Sequence, residues 1–325
     1  MRIVRHQEFG APSVLRVEEA DTPVPGPGQV LIRTEAVGVN FAEVQRRQGI
    51  PIGGPATLPG SPGGDVAGTV VALGEGVTRV GVGDRVVTGV GSDGYAEYVV
   101  NRADWLFPIP DGIDAGQATS LPIPAQTAYH VIVTAARMRP GESVLITAAA
   151  GGIGHLLVQL AKALGAGRII AAASSRDKLD FAASLGADLT VDYSEDGWDE
   201  RILAATGGRG ADVVLETVGG SVLTASVGLI APFGRMVVYG TASGEVPAVD
   251  VADIFDNRTV MGFSMWGVMA HRPEAMAEGA KRLLELVASG EVRPVVHAEL
   301  PLERAAEAHA LMEDRSQLGR VVLVP

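Results

Sequence analysis

The residues of this chain best placed to do chemistry begin at Ala149-x-Gly151-x-x-Gly154, between an apolar run at 144–147 and an amphipathic stretch at 153–165. A glycine at 151 lets the backbone come close to a pyrophosphate, and one at 154 lets a helix pack tightly on the preceding strand. The first turn of that helix offers backbone N–H groups and the positive end of its dipole to an anion. A dinucleotide is the ligand this spacing suits, and a dinucleotide points to redox chemistry. Ala149 stands where the commoner Gly-x-Gly-x-x-Gly pattern has its first glycine. A strand-to-helix turn that binds nothing can carry the same letters; the βα units around it favour binding.

The next apolar run ends Ala171-Ala172-Ala173-Ser174-Ser175-Arg176-Asp177-Lys178. A site for NAD usually carries an acid at this strand end, to hold the ribose 2′-hydroxyl. Here two hydroxyls and two cations follow instead. Ser174, Lys178 and Arg176 suit a 2′-phosphate through charge-assisted hydrogen bonds, so NADPH is the expected coenzyme. The plainer alternative is a helix cap with its cations in solvent. Ser175 reads as the N-cap of a helix at 176–185, and Asp177 in its first turn offsets the dipole.

The elements that must position these residues change period near 124. Before it, apolar runs at 30–32, 66–73, 85–87 and 96–100 are punctuated by glycine and proline, which implies a rolled antiparallel sheet with few helices. After it, strand-like runs at 144–147, 168–172, 189–191, 212–216 and 235–239 alternate with helical stretches at 153–165, 176–185, 198–205 and 221–230. That alternation implies an α/β fold with a doubly wound parallel sheet. A helix at 273–290, a run at 295–300, a helix at 302–312 and a strand at 319–324 follow, and are expected to rejoin the first part. The expected domains are 1–123 with 265–325, and 124–264.

Composition narrows the partners. With 325 residues and 47% hydrophobic content the chain can bury a large core. Its net charge, 26 − 38 = −12, argues against nucleic acid or an anionic membrane as partner. It has no cysteine, which removes disulfides, thiolate metal ligands and a cysteine nucleophile. No apolar signal core opens the chain and no run suits a membrane span, so a cytoplasmic protein is expected.

Several separate segments resemble one family in the right order. The turn at 148–154 is similar to the Ala-Ala-Ala-Gly-Gly-Val-Gly turn of the quinone oxidoreductases, the zinc-independent branch of the medium-chain dehydrogenase/reductase superfamily. Pro25-Gly26-Pro27-Gly28-Gln29-Val30-Leu31-Ile32-Arg33, Gly38-Val39-Asn40-Phe41, Gly64-Asp65-Val66-Ala67-Gly68, Gly81-Val82-Gly83-Asp84-Arg85-Val86, Gly94-Tyr95-Ala96-Glu97-Tyr98 and the closing Gly319-Arg320-Val321-Val322-Leu323 all resemble family signatures. The resemblance implies a GroES-like β-rich catalytic domain, a Rossmann domain, NADPH in the cleft and a homodimer. It implies hydride transfer to a small-molecule quinone or enone-type acceptor. Similar chains include enoyl-thioester reductases and non-catalytic NADPH-binding or redox-sensing proteins, which stay as alternatives.

The resemblance also implies roles for residues. Asn40 would hydrogen-bond the acceptor carbonyl or the coenzyme, and Thr127 would lie near the nicotinamide. Either could instead bond nearby backbone. Tyr193 would flank the adenosine end or simply pack. Phe263, Ser264 and Met265 would line the nicotinamide pocket, while Trp266 reads better as core. Gly240 ends a strand on the carboxyl edge of the sheet. The full expected coenzyme set is Ala150, Gly151, Gly152, Ile153, Ser174, Ser175, Lys178, Tyr193, Val218, Gly240, Phe263 and Met265. No metal is expected: Asn40 stands in the region of the zinc relatives' cysteine, and Gly64-Asp65 replaces their His-Glu. Asp65 reads as structural. Gln45 and Pro51 stand where some quinone reductases have tyrosines, and no proton donor is evident.

Overall fold

The computed structural model describes residues 1–52 and 54–325. The chain divides into two compact units, Met1–Pro124 with Pro294–Pro325, and Ala125–Arg293.

In the second unit six strands form one parallel sheet, in the order Leu189–Asp192, Arg168–Ala173, Ser143–Ile146, Ala211–Glu216, Ile230–Val238, Thr259–Gly262. Val, Ile, Leu and Ala fill these strands because helices cover both faces and no polar face remains. The apolar residues Leu145, Ile170, Val214 and Met236 sit in a single core with Trp198 and Ile202 from the helix Trp198–Ala205. The helix Pro273–Ala288 belongs here too, which corrects the expected boundary: the return to the first unit falls at 294, not 265. Its buried residues Gly279, Ala280, Leu283, Leu286 and Val287 recur at helical spacing. A Cβ on Gly279 would meet Gln126, Tyr129 and His130, and Gln126 Nε2 donates to the carbonyl of Met276 at 3.4 Å.

The first unit is built on a seven-stranded sheet. Val296–Pro301, Arg320–Val324, Gln29–Val39, Gly64–Leu73, Arg85–Val90 and Phe107–Pro108 lie side by side, and Tyr98–Arg102 pairs with Gln29–Val39. All neighbours are antiparallel except the first two, which are parallel. The sheet holds more helix around it than the sequence suggests. Phe41–Arg47 and Ala115–Ala118 are helical, and 121–125 forms a wide helical turn through Pro124. Among the described residues no helix is long and apolar enough to cross a membrane.

Candidate active site

Each unit holds one cluster of the expected residues. In the second, the strand order reverses between Ser143–Ile146 and Ala211–Glu216, and open parallel sheets bind ligands outside the carboxyl ends of their strands at such a point. Thr147 ties the two strand ends together. Its N–H donates to the Leu215 carbonyl at 3.0 Å, and its hydroxyl oxygen accepts the N–H of Thr217 at 3.1 Å. Ala148 then takes a φ of +48°, left-handed and rare for a residue with a Cβ. The N–H of Gly151 closes the turn on the Ala148 carbonyl at 3.0 Å. A Cβ on Gly154 would sit 2.2 Å from that same oxygen, so glycine is what lets the helix Gly154–Ala163 start here. Ala150 is buried, whereas Gly151, Gly152 and Ile153 are half-buried. Among the described residues the N–H groups of Gly152 and Ile153 meet no backbone carbonyl, and they are the donors an anion would use.

One strand over, Lys178 Nζ donates to Ser174 Oγ at 2.9 Å, and both are half-buried. Ser175 holds the N-cap position of the helix Arg176–Ser184, but its hydroxyl makes no cap bond, contrary to expectation. Its backbone is extended (φ −165°), and the hydroxyl stays off the helix amides. Arg176 is exposed and pairs with Asp180. The N–H of Tyr193 donates to the Ala173 carbonyl at 3.0 Å, which ties it to the strand end that carries Ser174; its ring lies edge-on to Trp198 with centroids 6.4 Å apart.

Val218, Gly240 and Phe263 follow the carboxyl ends of three successive parallel strands. Glu216, which the sequence reading passed over, fixes the first of them. Fully buried, its carboxylate accepts the N–H of Val218 at 2.8 Å and of Gly219 at 3.2 Å, and the hydroxyl of Thr147 at 3.3 Å. Burial pushes this carboxyl up, and those N–H groups hold it back. A Cβ on Gly240 would fall 2.3 Å from Thr217 Oγ1, and Phe263 N–H donates to the Val238 carbonyl at 2.8 Å. Met265 opens the helix Met265–His271 and is half-buried. Trp266 is 49% exposed rather than core, because Val268 alone turns inward from this helix. Thr127 is buried in the short helix Gln126–Tyr129.

In the first unit Asn40 ends the strand Gln29–Val39 and precedes the helix Phe41–Arg47. Its N–H donates to Glu43 Oε2 at 2.7 Å. Its side chain turns elsewhere: Nδ2 donates to Asp65 Oδ2 at 3.0 Å, and Oδ1 accepts from Arg320 Nη1 at 2.5 Å. Arg320 and Asp65 form a buried ion pair at 2.5 Å. Burial holds the Asp65 carboxyl above its ordinary value against the pull of Arg320 and Asn40. Neither Glu43 nor Arg320 stood out from the sequence as a site residue, although the spacing Asn40-x-x-Glu43 is that of a capping box.

Glu43 has a measurable consequence. Burial, and after it the charge of Asp65, push its carboxyl from 4.5 up to about 7. Between those values the folded chain keeps a proton that the unfolded chain releases. The stability this contributes is full below 4.5 and is lost as pH rises through about 7. Urea unfolding across this range should show wild type losing more stability than Glu43→Gln, by up to about 3 kcal/mol at roughly 1.4 kcal/mol per unit. Equal slopes in the two proteins would refute the assignment.

Zinc does not fit these residues. The chain has no cysteine, and among the described residues no group of three or more His, Asp or Glu could hold a metal ion. Comparison with known proteins now adds to the geometry. A model of the alcohol dehydrogenase GroES-like domain matches residues 26–111, and one of the zinc-binding dehydrogenase family matches 152–285. A 2-haloacrylate reductase from a Burkholderia species is 35% identical over 335 residues, covering 100% of this chain and 99% of that protein. A quinone oxidoreductase of Pseudomonas aeruginosa is 34% identical over 325 residues, covering 99% of each. The structure of Escherichia coli quinone oxidoreductase complexed with NADPH superposes with a TM-score of 0.91 at 30% identity, covering 100% of both chains. An oxidoreductase with a GroES-like domain and a Rossmann domain, the chain belongs to the zinc-independent, quinone oxidoreductase-type branch of the medium-chain dehydrogenase/reductase superfamily.

Proposed function

We propose that the chain reduces a quinone or an enone-type acceptor with NADPH and no metal ion. The observation that carries this reading is the Lys178–Ser174 pair at a strand end that lacks the usual ribose-binding acid. In its favour, two relatives are named for reducing a quinone and a haloacrylate, both of which are conjugated, electron-poor π systems.

When bound, the reduced nicotinamide supplies the hydride. The N–H groups of Gly152 and Ile153 would hold the pyrophosphate, with Ala150 and Gly151 keeping the turn close. Ser174, Ser175 and Lys178 would hold the 2′-phosphate, and Tyr193 would flank the adenosine. Val218, Gly240, Phe263 and Met265 would line the nicotinamide, with Thr127 nearby. Asn40 has one N–H left after bonding Asp65, and that N–H suits an acceptor oxygen on which negative charge builds. A proton from solvent completes the reduction.

Two measurements test this. Loss of NADPH absorbance is followed with a benzoquinone, a simple enone, a 2-haloacrylate and an acyl thioester. Turnover on the thioester alone would transfer the case to an enoyl-thioester reductase. Lys178→Ala should weaken NADPH about 10- to 100-fold, the worth of one charge-assisted bond, and leave NADH nearly unchanged. Equal losses for both coenzymes would remove Lys178 from the phosphate site.

A further inference from the structure

Asn40 is held from two sides at once. The strand Arg320–Val324 pairs with one edge of Gln29–Val39, with Val321 opposite Val39; Gly64–Leu73 pairs with the other edge, with Asp65 opposite Gly38. A guanidinium and a carboxylate therefore reach the same spot from opposite neighbours. The spot is open only because residue 38 is glycine. A Cβ there would lie 2.0 Å from Arg320 Nη2 and 2.4 Å from its Nε. Arg320 and Asp65 are both buried. Nη2 donates to Asp65 Oδ2 at 2.5 Å and to the Thr119 carbonyl at 3.2 Å, while Nη1 donates to Asn40 Oδ1 at 2.5 Å and to the Val39 carbonyl at 3.2 Å.

Three side chains thus close a ring, Arg320 to Asn40 to Asp65 and back. A rotated Asn40 carboxamide would set its NH2 against the guanidinium and its oxygen against the carboxylate. Both contacts would be repulsive in a place that water cannot relieve. The ring allows one orientation, and it fixes which N–H remains for a ligand. A buried ion pair stabilises a fold only weakly, so orientation is the more telling product of this one.

We infer that Arg320, seated over Gly38 and clamped by Asp65, is a positioning residue that sets the polarity of the Asn40 carboxamide toward the acceptor. This rests on the role proposed above for Asn40. A double-mutant cycle of Gly38→Ala with Asn40→Ala tests it. Gly38 lies in a strand with no left-handed φ, so alanine suits the backbone, and the three atoms nearest its Cβ all belong to the guanidinium. Gly38→Ala should lower kcat about tenfold or more in the wild type and cost almost nothing further when Asn40 is already alanine. If Gly38→Ala fails to fold, Arg320→Lys runs the same cycle, since a point charge cannot fork to both partners. A second readout needs no coenzyme: the Asn40 side-chain amide proton bonded to Asp65 should exchange about tenfold faster in either variant. Additive losses in kcat, or unchanged amide exchange, overturn the inference alone. Undiminished turnover in Asn40→Ala overturns the role of Asn40 and this inference with it.

Discussion

Asn40→Ala is expected to lower kcat by about 100- to 1,000-fold, the usual cost of deleting one donor to a developing oxyanion. Its dissociation constant for NADPH should stay within about twofold of wild type, because the coenzyme's phosphates are assigned to the other unit. The substitution leaves the Arg320–Asp65 pair in place, with its remaining bonds to Thr119 and Val39. It still removes two charge-assisted hydrogen bonds, to Asp65 and from Arg320, so the stability cost should be about 3 kcal/mol. Steady-state kinetics, a fluorescence titration with NADPH and a urea curve separate the three quantities. Full turnover in the variant would take Asn40 out of the chemistry.

Two glycines of one turn should fail in different ways. A Cβ on Gly154 would lie 2.2 Å from the Ala148 carbonyl oxygen and 2.8 Å from the carbonyl carbon and Cα of Ala149. These are backbone atoms of the tight turn that leaves a parallel strand, and they cannot yield cheaply. Gly154→Ala should destabilise the protein by about 1–3 kcal/mol, as overpacking does, and abolish coenzyme binding with it. At Gly151 the nearest atom is the same oxygen at 3.3 Å, a contact that a small shift relieves. Gly151→Ala should keep its melting temperature yet bind NADPH at least about tenfold more weakly, since the methyl group stands where a pyrophosphate would approach. The two variants behaving alike would mean that the turn is structural only.

The parallel sheet could be read from the chain because its cues are local. Runs such as Ser143–Ile146 and Arg168–Ala173 are continuously apolar, and a helix with its own glycine or serine boundary follows each. Asn40 was reached through family resemblance rather than from its neighbours. What stayed hidden depends on distance along the chain. Arg320 meets Asn40 across 280 residues, and only the strand order brings them side by side. The helical stretch after Ala115 runs into Pro122 and Pro124, residues that ordinarily end a helix; the backbone at 121–125 widens its turn and absorbs the missing N–H groups. The boundary at 294 was missed because an amphipathic helix does not say which core its apolar face will join. Gly279, small enough to admit Gln126, Tyr129 and His130, settles that question in space.

The first unit is interrupted by the second, and this has a consequence for the nascent polypeptide. Ala125–Arg293 is one unbroken stretch, free to fold as soon as it clears the ribosome. Gln29–Val39 emerges far earlier, yet its end at 37–39 must wait without a partner on one side for Arg320–Val324. Asp65 waits with it, a carboxylate without its cation. On the function proposed above, the residues assigned to the coenzyme would be complete before those assigned to the acceptor, and a chain halted before position 320 would bind NADPH while reducing nothing.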